Sequence, residues 1–490
     1  MKKKYKCILF SPFFKYVKGS IYKEVSNLDP PLGLISLSAF LNQRGLDTMV
    51  YDFNVEINSN DEINTFLDKL NEDFDLSETI FGISFLTPYA YSSYEIAKKL
   101  KLKFPNNLVI AGGAHATFMA DEVLNNGNID VCVRGEGEYS LLEIVQNKEL
   151  WQIDGISFID KKNNRITHNT ERERIKDINE LPFPDYHLLN MEKYEPILGS
   201  YRKLPGANII TTRGCPGNCK FCSKSFGYII SFKSAENIIK EIKILINDYK
   251  VKHINIYDDT FTLNKKRVID FCNLLLKENI NIEWTCFARI DTIDFEILSR
   301  MKKAGCYQIM YGVENFNQEI LNDLSKDIKV EKISEVIKLT RKVGIVCRVS
   351  VMVGHIHDTW ETYKNNIKEL KRLKPDILVS SIYTPIPGSK LYTWAKENNR
   401  LLTTDWSKFA GNNSVMKLDY LSQEEVVKQY RKIYFDYYYN IPFVFRRIKR
   451  INNFTELKST FRAFIYVLKF ILGGTFHRIN VFIKSNKSKS

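Results

Sequence analysis

Cys215-Pro-Gly-Asn-Cys219-Lys-Phe-Cys222 follows the apolar strand pattern Ala207–Thr211 and precedes a helical pattern from about Ser234 to Tyr249. The same order of strand, loop and helix then recurs. Further strands are expected near His253–Tyr257, Glu283–Phe287, Gln308–Gly312, Cys347–Val353 and Ile377–Tyr383. Helices such as Lys265–Glu278 and Val330–Val343 fall between them. This predicts a TIM-type (β/α) barrel or partial barrel, with its active site at the carboxyl ends of the strands. Asp258-Asp259, Arg289, Gly312-Val-Glu314, Gly354 and Pro385-Ile-Pro-Gly388 stand at those ends. Each alone reads as a turn or a solvated charge; their regular placement favours a site.

Three thiolates within eight residues can converge on one iron–sulfur cluster. A [4Fe–4S] cube has four irons to serve, so three cysteines leave one iron open to a substrate. The competing reading is structural zinc, which takes four ligands, usually as paired units. No second pair lies nearby: the next histidine is His253, and Cys272, Cys286, Cys306 and Cys347 are isolated. Those four read as small buried hydrophobes.

The first third alternates in the same way. Strands are expected at Tyr5–Phe10, Thr48–Asp52, Thr79–Ser84, Asn107–Ala111 and Asp130–Arg134. Helical patterns cover Leu34–Arg44 and about Ser92–Phe104. The fold class is therefore α/β: an N-terminal doubly wound, Rossmann-like sheet ahead of the barrel. Gly112-Gly113 and Gly135-x-Gly137 follow strands and precede helices, where backbone can approach a bulky ligand. Ordinary tight turns would look the same. No Gly-x-Gly-x-x-Gly follows the first strand, so a nicotinamide site is not expected. His115 either touches a ligand or caps the following helix.

Composition bounds the rest. Of 490 residues, 44% are hydrophobic and 26% charged, ordinary values for a folded protein. The net charge of +14 is concentrated at the end: residues 441–490 hold eleven Lys and Arg against one acid, Glu456. A near-neutral body with a basic tail argues against a nucleic-acid binder. Nine cysteines are too few for a disulfide scaffold. No secretory signal is seen, and the longest apolar run, Phe461–Leu472, is broken by Arg462 and Lys469. A cytoplasmic protein is expected, where thiols stay reduced and can hold metals.

The cysteine loop, with Phe221 before the third cysteine, resembles the signature of radical S-adenosylmethionine (SAM) enzymes. The first domain resembles the cobalamin-binding partner that some of them carry. The matching stretches there are Pro30-Pro-Leu-Gly33, Gly82-Ile-Ser-Phe-Leu-Thr87, Ala111-Gly-Gly-Ala-His-Ala-Thr117, Arg134-Gly-Glu-Gly-Glu138 and Leu181-Pro-Phe-Pro-Asp185. In the barrel they are Asp258-Asp-Thr-Phe-Thr262, Ala288-Arg-Ile-Asp291, Tyr311-Gly-Val-Glu314 and Pro385-Ile-Pro-Gly-Ser389. The likeness spans about residues 5–400. It implies four parts: residues 1–150 cobalamin domain, 151–205 linker, 206–402 radical SAM core, and 403–490 a helical, basic C-terminal region.

The resemblance also assigns roles. Cys215, Cys219 and Cys222 would hold a [4Fe–4S] cluster, the catalytic metal centre, whose open iron chelates SAM. Phe221, Arg289, Gly312, Glu314 and Ser350 would border SAM, with Glu314 toward its ribose or amino group. Leu32, Ser84, Thr87, Gly112, Gly113, His115, Gly135, Glu136, Gly137 and Glu138 would border cobalamin. Relatives carry Gly-x-Glu-Ser-Gly where this chain has Gly312-Val-Glu-Asn-Phe316. The turn after the fifth barrel strand reads Gly354-His-Ile-His-Asp358, which places His355 and His357 over the rim of the site. After the second strand stands Asp52-Phe-Asn-Val-Glu56 instead of Asp-x-His-x-x-Gly, so cobalamin would be base-off.

The implied reaction begins with reductive cleavage of SAM to a 5′-deoxyadenosyl radical. That radical abstracts hydrogen from an unactivated carbon, and methylcobalamin methylates the resulting carbon radical. The broad group also holds anaerobic cyclases acting on tetrapyrroles, so oxidative cyclisation or rearrangement without net methyl transfer is the alternative. A non-catalytic iron–sulfur or cobalamin-binding regulator is the third reading. Implied partners are a small, hydrophobic or lipid-like substrate and a one-electron donor such as flavodoxin or ferredoxin. The tyrosine-rich stretch Leu421–Ile441, with the apolar and basic segments after it, reads as a helical cap on the barrel. The other reading is a surface in peripheral contact with anionic lipid.

Overall fold

The computed structural model describes residues 2–13, 28–160, 162–194, 199–449 and 451, with 456–458, 460–462, 464 and 465 beyond them. The apolar run over 461–472 lies mostly outside the described residues.

The first sheet holds β1 (Cys7–Ser11), β2 (Thr48–Asp52), β3 (Ile80–Ser84), β4 (Val109–Gly112) and β5 (Val131–Val133), all parallel. Antiparallel β6 (Ile156–Asp160) and β7 (Arg165–His168) extend it, in the order β2-β1-β3-β4-β5-β6-β7. These last two fall within the stretch read from sequence as a linker. Cys7, Ile8, Leu9 and Phe10 are all buried, as a parallel strand covered on both faces requires. The covering helices include α1 (Leu32–Asn42), α2 (Ala90–Lys103) and α3 (Glu138–Val145). The strand order reverses beside β1, which opens a crevice outside the carboxyl ends of β1 and β3.

The second sheet is a partial barrel of six parallel strands in chain order. They are β8 (Gly206–Ile209), β9 (His253–Ile256), β10 (Glu283–Ala288), β11 (Cys306–Glu314), β12 (Val346–Val353) and β13 (Ile377–Ile382). Outer helices include α4 (Ala235–Tyr249), α5 (Lys265–Lys277) and α6 (Val330–Val343). Ser234 caps α4 by accepting from the Asn237 N–H. Ile238, Ile239, Ile242 and Leu245 then form the buried stripe of α4 at helical spacing.

Six strands do not close, so β13 keeps an open edge. The C-terminal region covers it with α7 (Gln423–Tyr438), followed by α8 (Ile441–Ile448). The Tyr434 hydroxyl accepts from the Ser380 N–H (2.9 Å) and donates to the Ser380 carbonyl (2.9 Å). Tyr438 does the same at Leu378, at 2.8 and 2.7 Å. The Gly411 carbonyl takes the next outward N–H, from Ile382 (2.7 Å). Residues four apart on a helix rise about 6 Å and alternate residues on a strand about 6.6 Å, so two tyrosines can serve two consecutive outward positions. The tyrosine-rich tail is thus a cap that stands in for a missing strand neighbour. Replacing both Tyr434 and Tyr438 by Phe would leave two buried strand positions without partners. The expected loss is about 2–4 kcal/mol, read as a lower unfolding midpoint; an unchanged midpoint would show the edge is solvated instead.

The domains face each other through a short set of polar contacts. Asp185 of the connecting segment accepts from Ser38 (3.2 Å) and Asn42 (2.7 Å) of α1. Tyr186 donates to the Asn208 carbonyl of β8 (3.2 Å). Asp29, just before α1, accepts from Asn208 (2.5 Å). Both sets of strand carboxyl ends are thereby turned toward one shared space. Among the described residues no helix is long and apolar enough to cross a membrane.

Candidate active site

The cysteine loop leaves the carboxyl end of β8 and is fastened by backbone. The Cys215 N–H donates to Gly227 (3.3 Å), and the Lys220 N–H to Leu324 (3.1 Å). The Lys220 carbonyl accepts from Leu391 (2.8 Å). Lys224 adds its ammonium to the Cys215 carbonyl (3.2 Å). All three thiols are only half-buried, whereas Cys272, Cys286, Cys306 and Cys347 are fully enclosed, as their isolation in sequence suggested. Burial first, then Asp259 and the two neighbouring thiols, pushes Cys222 up to about 11. A cationic metal centre would relieve that crowding. Among the described residues no three acidic, histidine or cysteine side chains converge on a point that would bind a single ion. Ligands of one zinc sit within about 4 Å of one another, given a reach of about 2.3 Å each; a cube ligated at separate corners holds its cysteines further apart. Three thiols suit three corners of a cluster, whereas structural zinc takes four ligands.

Beside this loop the structure gathers the residues expected at SAM. The Glu314 carboxylate pairs with Lys326 (2.8 Å) and accepts from Ser350 of β12 (3.2 Å). Glu314 itself sits at φ +66°, where the pairing of β11 with β12 shifts register. A Cβ on Gly312 would lie 2.5 Å from a Glu314 oxygen and 2.8 Å from the Lys326 nitrogen, so a side chain there would push the pair aside. The Lys326 ammonium stands 5.8 Å from the centre of the Phe221 ring. Arg289 donates to the Lys326 carbonyl (3.3 Å) and pairs with Asp291 (2.9 Å). Phe221, Arg289, Gly312, Glu314 and Ser350 thus form one contact set around Lys326.

Lys326, Tyr383 and Asp323 belong to this neighbourhood and were not read from sequence as site residues. Lys326 comes from a loop without a motif. Tyr383, at the end of β13, meets Phe221 edge-on at 6.3 Å. His355 packs on Tyr383 (5.2 Å) and bonds Asp323 (2.8 Å), which also holds Lys220 (2.7 Å). His355 is therefore buried behind the cysteine loop and not over the rim, and burial depresses its pKa to about 4. His357 remains half-exposed beside Asp419.

On the other side lies a cavity of about 1490 Å³ that runs between the two sheets. Leu32, Ser84, Gly112, Gly113, Gly135, Glu136, Gly137 and Glu138 all line it. Gly113 has φ +95°, and a Cβ there would press on the Phe85 carbonyl at 2.8 Å. At Gly112 and Gly135 the same atom would meet nothing within 4 Å, so their flanks are open to the cavity. Space of this size with glycine-edged walls suits a large macrocycle. Glu136 and Glu138 face it from a clamp across the domains, pairing with Arg213 at 2.9 and 2.6 Å. Thr87 and His115, expected with them, do not line the cavity. They bond each other (3.2 Å), and His115 also reaches Glu122 (3.1 Å) and packs on Trp406 (5.1 Å).

Known proteins resemble the chain in sequence and in fold. The radical SAM superfamily model covers residues 209–388 and the B12 binding domain model covers 21–145. An uncharacterized methyltransferase of Pyrococcus horikoshii is 34% identical over 428 residues, 86% of this chain and 90% of that one. The anaerobic magnesium-protoporphyrin IX monomethyl ester cyclase of Cereibacter sphaeroides is 29% identical, covering 84% of this chain and 68% of that one. Among solved structures, the cobalamin-dependent SAM radical enzyme OxsB, with aqua-cobalamin and SAM bound, superposes with a TM-score of 0.71. It is 16% identical and covers 95% of this chain and 72% of that one, a likeness of fold.

Proposed function

The chain belongs to the radical SAM superfamily, in the branch with a B12 binding domain, and on that premise we propose that it methylates an unactivated carbon of a small molecule. Membership makes it an enzyme and sets aside the reading as a non-catalytic regulator. When bound, the cluster, SAM and cobalamin supply the electron, the hydrogen-abstracting radical and the methyl group. The chain's own residues position and shield them. Cys215, Cys219 and Cys222 would hold the cluster and leave one corner free. Glu314, fixed by Lys326 and Ser350, would accept from the ribose or amino group of SAM. Phe221 and Arg289 would close the same pocket. Leu32, Ser84 and the glycines at 112, 113, 135 and 137 would bound cobalamin and exclude water from it. No histidine lines the cavity among the described residues, which supports a base-off cobalamin without a protein imidazole. A flavodoxin- or ferredoxin-like donor would supply the electron.

The observation that carries this reading is the single cavity that opens on the glycine loops of the first sheet and on the barrel together. The test is product mass with methyl-labelled SAM: one labelled CH₂ unit gained per turnover is expected. The similarity to a cyclase favours a second reading, oxidative ring closure. A product without added carbon would establish that reading and remove methyl transfer.

A further inference from the structure

Four cations line the interdomain cavity among the described residues: Arg213, Lys233, Arg348 and Arg447. Three are neutralised by acids of the chain. Arg213 pairs with Glu136 and Glu138, Lys233 with Glu241 at 2.7 Å, and Arg447 with Glu456 at 3.4 Å. Arg348 has no such partner. None of the ion pairs or side-chain hydrogen bonds among the described residues includes it, and its buried Nε has no acceptor. The same cavity is walled there by Ile377, Leu378 and Val379 of β13 and by Phe443, Val444 and Ile448 of α8; the Asp376 carboxylate also lines it, turned to the Cys347 N–H (2.9 Å) and in no ion pair with Arg348. A half-buried guanidinium without an ion-pair partner beside an apolar wall can take an incoming anion as its partner.

Its position is informative. Arg348 and Ser350 lie two residues apart on β12, so they share a face and stand about 6.6 Å apart along the strand. Ser350 bonds Glu314 in the pocket proposed for SAM. Arg348 therefore lies one pleat deeper in the barrel than that pocket, while its cavity continues to the glycines of the first sheet.

Building on the methyltransferase reading above, we propose that Arg348 anchors the substrate, and that the substrate is an elongated apolar molecule with one anionic group, a carboxylate or a phosphate. The anion sits on the guanidinium. The apolar body extends along the cavity, which carries the reacting carbon toward the space between the SAM pocket and the glycine loops.

The test is calorimetric titration of the anaerobically reconstituted full chain with dodecanoate, dodecyl phosphate and uncharged dodecyl glucoside. Wild type is expected to bind at least one anion tenfold or more tightly than the glucoside, and the preferred anion identifies the headgroup. Arg348→Gln is expected to erase that preference, and Arg348→Lys to restore most of it. Equal affinity for all three ligands in wild type, or an anion preference that survives in Arg348→Gln, overturns the proposal. So does loss of bound corrinoid in Arg348→Gln with the preference intact, because the guanidinium would then belong to the cofactor. SAM cleavage by the same wild-type preparation separates the two readings. Cleavage without an anion site sinks only the anchor; an Arg348-dependent anion site without cleavage sinks only the radical chemistry.

Discussion

Cys215→Ala is expected to abolish SAM cleavage, lowering 5′-deoxyadenosine formation to the background of protein without a cluster. The effect is this large because, on the proposed reading, the three thiols would be the whole protein ligand set and none would be spare. The other free cysteines are buried in the core and tied to strands and helices, so none can move in as a substitute. The loop itself should keep its shape, since it is fastened by the backbone bonds of Cys215, Lys220 and Cys222 rather than by thiols. The variant should therefore fold, with an unfolding midpoint close to that of unreconstituted wild type. Cleavage at the parent rate would show that the cluster is held elsewhere.

The second large effect is expected at Lys326. Its ammonium and the Glu314 carboxylate are both buried, 2.8 Å apart, and Glu314 is 6% exposed. Removing one partner of a buried pair typically costs about 3–5 kcal/mol, because the other charge is left without compensation. Lys326→Met should lower stability by about that much and weaken SAM binding, since Glu314 loses the ammonium that fixes its carboxylate in place. Lys326→Met combined with Glu314→Gln should regain most of the stability, as neither site then carries a charge. It should not regain SAM binding. Unfolding midpoints and SAM titration of the single and double variants separate the two effects. A single variant as stable as wild type would mean the pair is hydrated and not what shapes the pocket.

The sequence announced those parts of the molecule that follow from local chemistry. Strands buried on both faces show as short apolar runs, and the eleven parallel strands of the two large sheets appear within a few residues of where their runs predicted, whereas the two-residue pair Lys3–Lys4 with Phe74–Asp75 left no such run. The cysteine loop was legible because three ligands at fixed spacing have few other uses. Long-range facts were not legible. Lys326 has no motif and becomes a site residue only because the loop after Asp323 folds back under Phe221. The antiparallel β6 and β7 were hidden in a stretch that reads as a connector. His115 stands in a matching motif, yet its ring turns to Thr87 and Glu122, since two hydrogen bonds hold it away from the cavity. The tyrosines of α7 were visible as a helical run. That two of their hydroxyls would pair with an open strand edge depends on the barrel stopping at six strands, which no local pattern records.

The central claim is that one chain holds a three-thiolate cluster and a corrinoid across a shared cavity. Iron and cobalt analysis of the anaerobically reconstituted full chain, with its ultraviolet–visible spectrum, tests it most directly. About four irons and one corrinoid per chain are expected. A preparation that takes up neither would contradict the account.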